Sequence, residues 1–173
     1  MMHVTPTDTE VTFEENDIIV SKTDHKGRIT YANRTFCRMA GYSEAELIGQ
    51  PHSIIRHPDM PRAVFKLLWD ALNEGREIFA YVKNMSKNGA YYWVFAHVTP
   101  SFDVSKRIVG FHSSRRVPDR RKIEAAIVPL YAAVLAEERR HRNGQQALVA
   151  SYKLVLETLK SKNMTYDELI FTI

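Results

Sequence analysis

The residues best suited to chemistry lie in one central loop, the helix after it and the strand beyond. Arg56-His57-Pro58-Asp59-Met60-Pro61 sets a cation, an imidazole and a carboxylate close together, and Arg56 there can pair with a phosphate or another anion. Asp59 can equally cap the following helix, and Arg56 with Asp59 can form an exposed ion pair of little energetic worth. Trp69 offers a flat indole that can pack on a heteroaromatic ring, a contact worth about 0.5–1.5 kcal/mol beyond its burial, or can fill a core in the ordinary way. Asn84 is more telling, because strand alternation puts it on one face with Ile78, Ala80 and Val82, away from Tyr81, Lys83 and Met85. A carboxamide among apolar neighbours needs partners, since leaving it unsatisfied costs about 1–3 kcal/mol. Either a ligand edge of alternating donors and acceptors or the adjacent turn can supply them.

Other chemistries find less support. The seven histidines show no His-x-x-x-His spacing and the one cysteine makes no Cys-x-x-Cys, which argues against a structural metal. No Gly-x-Gly-x-x-Gly follows a strand, so a dinucleotide-binding fold is excluded. Paired carboxylates, or a nucleophile beside a base, are not found at interpretable spacing, and the chain is not read as an enzyme. Cys37 rules out an internal disulfide, fits a reducing compartment such as the cytosol, and reads as a small buried hydrophobe on a helix.

Several elements must position these residues. Residues 1–13, rich in Thr, Pro and Asp, read as a flexible arm. Asp17-Ile-Ile-Val-Ser-Lys-Thr23 reads as a strand, turned by His25-Lys26-Gly27 into a second over residues 28–31. Asn33 then caps a helix that Gly41 ends, and Ser43-Glu-Ala-Glu46 has capping-box spacing for a short helix running to Gly49. A loop over 50–58 leads to a helix over 59–72, apolar on two adjacent stripes, Val64, Leu67, Leu68, Ala71 and Leu72 beside Phe65 and Trp69; so wide an arc should touch two things rather than one. Alternation returns over 78–86, 90–99 and 107–113, with Lys87-Asn88-Gly89 a strong hairpin signal. Two strands before the helices and three after close into one sheet only if the first hairpin lies beside the last strands.

Beyond Pro118, Ile123, Ile127, Leu130 and Val134, and again Leu148, Tyr152, Val155 and Leu159, repeat a 4, 3, 4 spacing. Each is a seam of about two heptads, too short for a convincing coiled coil, and the polar residues 139–146 between them read as the turn of a helical hairpin. The domains are thus the arm at 1–13, a globular domain at 14–116 and a helical extension at 117–173.

A length of 173 residues, 45% of them hydrophobic and 25% charged, fits a soluble globular chain with one main domain and an appendage. The net charge of +4 sits wholly in residues 115–142, with 8 Lys/Arg against 4 Asp/Glu. Those charges flank an amphipathic helix and have no base-reading groups nearby, so no nucleic-acid partner is expected. No apolar run approaches the roughly 18 residues of a membrane span, and the cytoplasm is the expected location.

The order of elements, with Ile29-Thr-Tyr-Ala-Asn33, Ala40-Gly-Tyr-Ser43, Leu47-Ile-Gly-Gln-Pro51, Arg56-His-Pro-Asp-Met-Pro61, Lys83-Asn84 and Tyr92-Trp93-Val94, resembles the PAS family. The likeness is greatest to the flavin-binding sensor domain of bacterial aerotaxis receptors and covers about residues 14–131, Val128-Pro-Leu-Tyr131 included. The resemblance implies an α+β PAS fold: a five-stranded antiparallel sheet with helices on one face, followed here by the C-terminal helical extension. It also implies FAD held non-covalently, with contacts from Arg56, His57, Asp59, Trp69 and Asn84, and with Asn33 as a cap near the cavity. A redox or oxygen-linked sensor is then expected, relaying flavin state through the sheet to the C-terminal helices. Aerotaxis receptors continue into membrane-spanning and methyl-accepting segments, which this sequence lacks, so a separate signalling protein and a homodimer are expected as partners. Light-sensing relatives carry an adduct-forming cysteine before the long helix, whereas Gly49-Gln-Pro-His52 has none. Two alternatives stand: a haem-binding PAS gas sensor using His52, His57 or His97, and a cofactor-free PAS dimerisation or adaptor module in which Trp69 and Asn84 are core.

Overall fold

The computed structural model describes residues 4–173; the first three positions of the expected arm lie outside the described residues. The strands β1 (Ile19–Asp24) and β2 (Ile29–Ala32) form the expected hairpin, with Gly27 at φ +76° in the turn. Asn33 caps α1 (Arg34–Ala40) by accepting from the Phe36 amide, and Gly41 ends it in the left-handed conformation at φ +71°. Ser43 and Glu46 complete a capping box on α2 (Glu44–Leu47). That helix stops short of Gly49 because the Gly49 amide donates instead to the Ile29 carbonyl, 2.7 Å away. The loop after it contains a 3₁₀ turn, His52–Ile55, and α3 runs Arg62–Asn73. It begins three residues later than expected, since Pro61 disfavours helical backbone at Met60.

The remaining strands are β3 (Ile78–Met85), β4 (Tyr91–Phe102) and β5 (Ile108–Arg116). The sheet is antiparallel throughout with the order β2-β1-β5-β4-β3, so the first hairpin does lie beside the last strand. β4 continues through Pro100, where the sequence suggests a loop. β3 begins only opposite Val98, so Pro100 has a strand neighbour on one side only, where a missing N–H is tolerated. β5 likewise runs to Arg116 rather than stopping at Ser113, because it is paired with β1 on one side and β4 on the other.

The arm is tied down. β5 reaches only as far as Phe95, which leaves that side of the start of β4 open, and the arm pairs with it at Tyr91. The Thr7 amide donates to the Gly89 carbonyl, Tyr91 to Thr9 and Val11 to Tyr91, each at 2.8–2.9 Å. Gly89 is required at that crossing: its φ is +90°, and a Cβ there would lie 2.2 Å from the Thr5 carbonyl oxygen.

Two compact units are present. The first comprises the chain through His57 and Ala71–Pro118; the second, Pro58–Asp70 and Asp119–Ile173. Most of α3 thus belongs with the C-terminal helices, and its last three residues, 71–73, with the first unit. In the second unit α4 (Arg120–Lys122) leads through a π-helical stretch, Ile123–Ile127, into α5 (Val128–Arg139). Asn143 then caps α6 (Gly144–Ser161), which completes the expected hairpin. α7 (Tyr166–Thr172) follows, started by a Thr165–Glu168 capping box. Ala63, Val134, Val155, Leu159 and Leu169 form the buried centre of this unit, with Leu67 and Leu130 packed against it. Among the described residues no helix is long and apolar enough to cross a membrane.

Candidate functional site

One face of the sheet in the first unit carries an unusual number of buried polar groups. Asn84 is buried beside Ala80 and Val82, as alternation requires, and Tyr92 lies directly across from it on β4. Arg115 lies on the same face, paired with Ala96 on β4 and Ile19 on β1, and is only 2% exposed. Ser21 of β1 is buried there too.

These side chains form a short network. Arg115 Nη2 donates to Ser21 Oγ at 2.6 Å, and Ser21 Oγ is 3.0 Å from His52 Nε2. The guanidinium lies 4.5 Å over the Phe36 ring, on which the His52 imidazole also stacks, at 5.8 Å between ring centres. Burial, with the Arg115 charge nearby, lowers the His52 pKa to about 3, so the ring is neutral at physiological pH. Burial lowers Arg115 to about 10, which leaves it charged. Burial also drives the Tyr92 phenol far above its usual value, although Arg115 and the Asn84 amide pull the other way.

Hydrogen bonding on this face is incomplete. Arg115 Nε and Nη1 and Thr23 Oγ1 are buried without a hydrogen-bond partner, and the buried Tyr92 hydroxyl lies near the Asn84 amide without a well-formed hydrogen bond. Among the described residues no carboxylate pairs with Arg115. Groups of this kind are ordinarily satisfied, and a buried guanidinium is costly unless something accepts from it.

The expected site residues divide between the units. Arg56 forms an isolated antiparallel bridge with Asn84, which puts Arg56 on the edge of β3. His57, buried, meets the Tyr91 ring edge-on at 6.0 Å between centres. Asn33 uses most of its carboxamide locally: Oδ1 accepts from the Val20 and Phe36 amides and Nδ2 donates to the Ile18 carbonyl. Asp59 and Trp69 belong to the second unit, where Asp59 lies exposed in a turn before Pro61 and Trp69 is 36% exposed on α3. Of the histidines considered for haem, His52 is engaged with Ser21, and His97 pairs with Glu77 and stacks on Phe79. Among the described residues no group of three His, Cys, Asp or Glu comes together to hold a metal.

Arg115, Tyr92 and Ser21 escape the sequence reading. Arg115 reads there as half of a basic pair, and ending β5 at Ser113 hides its position. The signal is strand alternation carried two residues further, which sets Phe111, Ser113 and Arg115 on one face.

A five-stranded antiparallel sheet of this order, with its helices inserted between the second and third strands, defines an α+β domain of the PAS type. The chain belongs to the PAS family, whose PAS fold profile matches residues 29–115. It is 43% identical over 122 residues to the aerotaxis receptor of Escherichia coli K12, covering 70% of this chain and 24% of the receptor. Against the nitrogen fixation regulatory protein of Klebsiella pneumoniae it is 32% identical over 87 residues, 50% of this chain and 18% of that protein. The chain therefore spans a quarter or less of these relatives. The blue-light photoreceptor Aureochrome1 LOV in its dark state shares the fold, with a TM-score of 0.57 at 22% identity over 66% of this chain and 86% of that one. A light-oxygen-voltage domain studied with a flavin analogue superposes equally well, at 17% identity over 67% of this chain and 87% of that one. This is a PAS sensor domain related to the aerotaxis and nitrogen-fixation regulators.

Proposed function

We propose that this PAS domain is a cytoplasmic redox or oxygen-linked sensor that holds FAD non-covalently and passes its state to a partner protein, as a homodimer. The observation that carries the reading is the row of buried polar groups, Asn84, Tyr92 and Arg115, on a sheet face that an ordinary core would make apolar. The unsatisfied donors there suit a ring edge of carbonyl oxygens and ring nitrogens. The 43% identity to an aerotaxis receptor supports the same reading.

A bound flavin supplies reversible redox chemistry coupled to proton uptake. Asn84 can turn either its carbonyl oxygen or its amide hydrogens toward such a ring edge, and so can answer a change in protonation there. Arg56 and His57 supply a cation and an imidazole at the edge of β3, while Asp59 and Trp69 are assigned by family resemblance, Trp69 as a stacking surface. Asn33 holds α1 against β1.

Two routes lead outward from Asn84. One is β3 and the sheet. The other is the backbone bridge to Arg56, whose loop continues into α3. In the second unit the Ala63 amide of α3 donates to Glu138 of α5, and Tyr152 Oη of α6 donates to Asp70 at 2.9 Å. On this reading a shift at Asn84 passes by hydrogen bonding to Arg56, along the chain into α3, and by hydrogen bonding again to α5 and α6. Such a relay requires the two ligand states to differ by on the order of a few kcal/mol in their contacts with the two arrangements.

An absorbance spectrum of the purified protein before and after dithionite tests the function. Broad near-ultraviolet and blue bands that bleach on reduction are expected. A Soret band would indicate haem instead, and colourless protein from cofactor-replete cells would indicate an adaptor module.

A further inference from the structure

The flavin reading counts Arg115 among the buried polar groups of that face but gives it no role of its own, although it is the most costly of them to bury. Arg115 has five N–H donors, of which the structure uses one, toward Ser21. Its neighbours across the sheet, Ala96 and Ile19, offer nothing to bond. The Phe36 ring beneath it fixes the guanidinium plane, so the unused donors are held in a set direction rather than left to swing. Holding Ser21 needs only a neutral donor; a buried full charge is excessive for that purpose.

We propose that Arg115 is a cofactor-binding residue, whose unused N–H groups receive an acceptor edge of the ring bound on this face and whose charge favours the reduced, more negative form. The inference deepens the flavin reading and depends on it. The planar guanidinium suits the carbonyl and ring-nitrogen acceptors of a flat heterocycle, and in a site of low dielectric its charge acts at far greater strength than in water. The Ser21–His52 chain behind it is a support that keeps the plane in place. A purely structural Arg115 would weaken oxidised and reduced ligand alike when removed. A residue acting on the charge of the ring must change the ratio of the two.

The test uses the full chain, FAD as the titrant, and the variants Arg115→Met and Arg115→Lys. Arg115→Met is expected to bind FAD at least tenfold more weakly. The midpoint potential of its bound flavin should fall, by about 30 mV for each tenfold loss in the reduced-to-oxidised affinity ratio of a two-electron couple. Arg115→Lys, which keeps the charge and loses the planar donors, should bind three- to tenfold more weakly at nearly the wild-type potential. Wild-type affinity in a folded Arg115→Met, or weakened binding with an unchanged potential, overturns the proposal. Should Arg115→Met fail to fold, Arg115→Lys decides: wild-type affinity there overturns it. A wild-type protein that takes up no FAD refutes the flavin reading and this inference together, whereas uptake indifferent to Arg115 refutes this inference alone.

Discussion

Arg56 and Asn84 are bridged backbone to backbone although 28 positions separate them, so the loop ahead of α3 covers the edge strand of the sheet at the position of its one buried carboxamide. The pairing turns two sequence motifs into one place and leaves the Asn84 backbone engaged on both sides, by Tyr92 of β4 and by Arg56. Replacing Asn84 by alanine should weaken FAD binding by about tenfold to a hundredfold, matching the roughly 1–3 kcal/mol of a lost buried hydrogen bond, or should shift the flavin potential. Titration and potentiometry of Asn84→Ala check this, and wild-type values for both would mean that the amide faces elsewhere.

Trp69 gives a second prediction. If its indole stacks on the ring, as the family resemblance implies, Trp69→Ala should lower affinity by a few-fold to about tenfold, the worth of an aromatic contact of about 0.5–1.5 kcal/mol. Retention of stoichiometric flavin through purification would remove Trp69 from the site.

His52 makes the fold sensitive to acid. Its folded pKa of about 3 lies below the unfolded value near 6.5, so the unfolded chain binds a proton that the native ring refuses. Stability from this source is complete above about pH 6.5 and is lost as pH falls toward 3. The ring is partly buried, so the loss between pH 7.5 and 5.0 should be about 1–2 kcal/mol. Urea midpoints at both pH values should show a smaller drop for His52→Phe than for wild type; equal drops would mean that the ring titrates normally.

Tyr152 tests the route through α3. Its hydroxyl bonds Asp70, which also accepts from Lys66. Tyr152→Phe should cost about 0.5–1.5 kcal/mol of stability and leave flavin content intact. It should also reduce the difference in protease protection of the C-terminal helices between oxidised and reduced protein. A full difference in the variant would turn attention back to the sheet.

Much of the scaffold is legible in local chemistry. Gly41, the Ser43–Glu46 box and Lys87-Asn88-Gly89 act within a few residues, and each produces the expected turn or cap. Alternation also assigns Asn84 to its face, because period-two geometry leaves no other choice. Long-range pairing decided what local rules missed. Pro100 stays in a strand because β3 begins only opposite Val98, and Arg115 falls on the inward face because β5, paired on both sides, carries strand alternation on to Arg116. The arm pairs with β4 because β5 is too short to do so. α7 carries a local signal of its own, the Thr165–Glu168 capping box, outside the two seams of the helical hairpin.

The division of α3 between the two units bears on how such a sensor can be recombined. A fragment cut after the last strand keeps every residue of the sheet yet strips Ala63 and Leu67 of their cover from Val134, Val155 and Leu159. Such a piece would bare a greasy helix flank and tend to clump. Chimaeras that graft this sensor onto a foreign output should therefore carry the helical hairpin along with the sheet, so that the exchangeable module is larger than the strand pattern suggests.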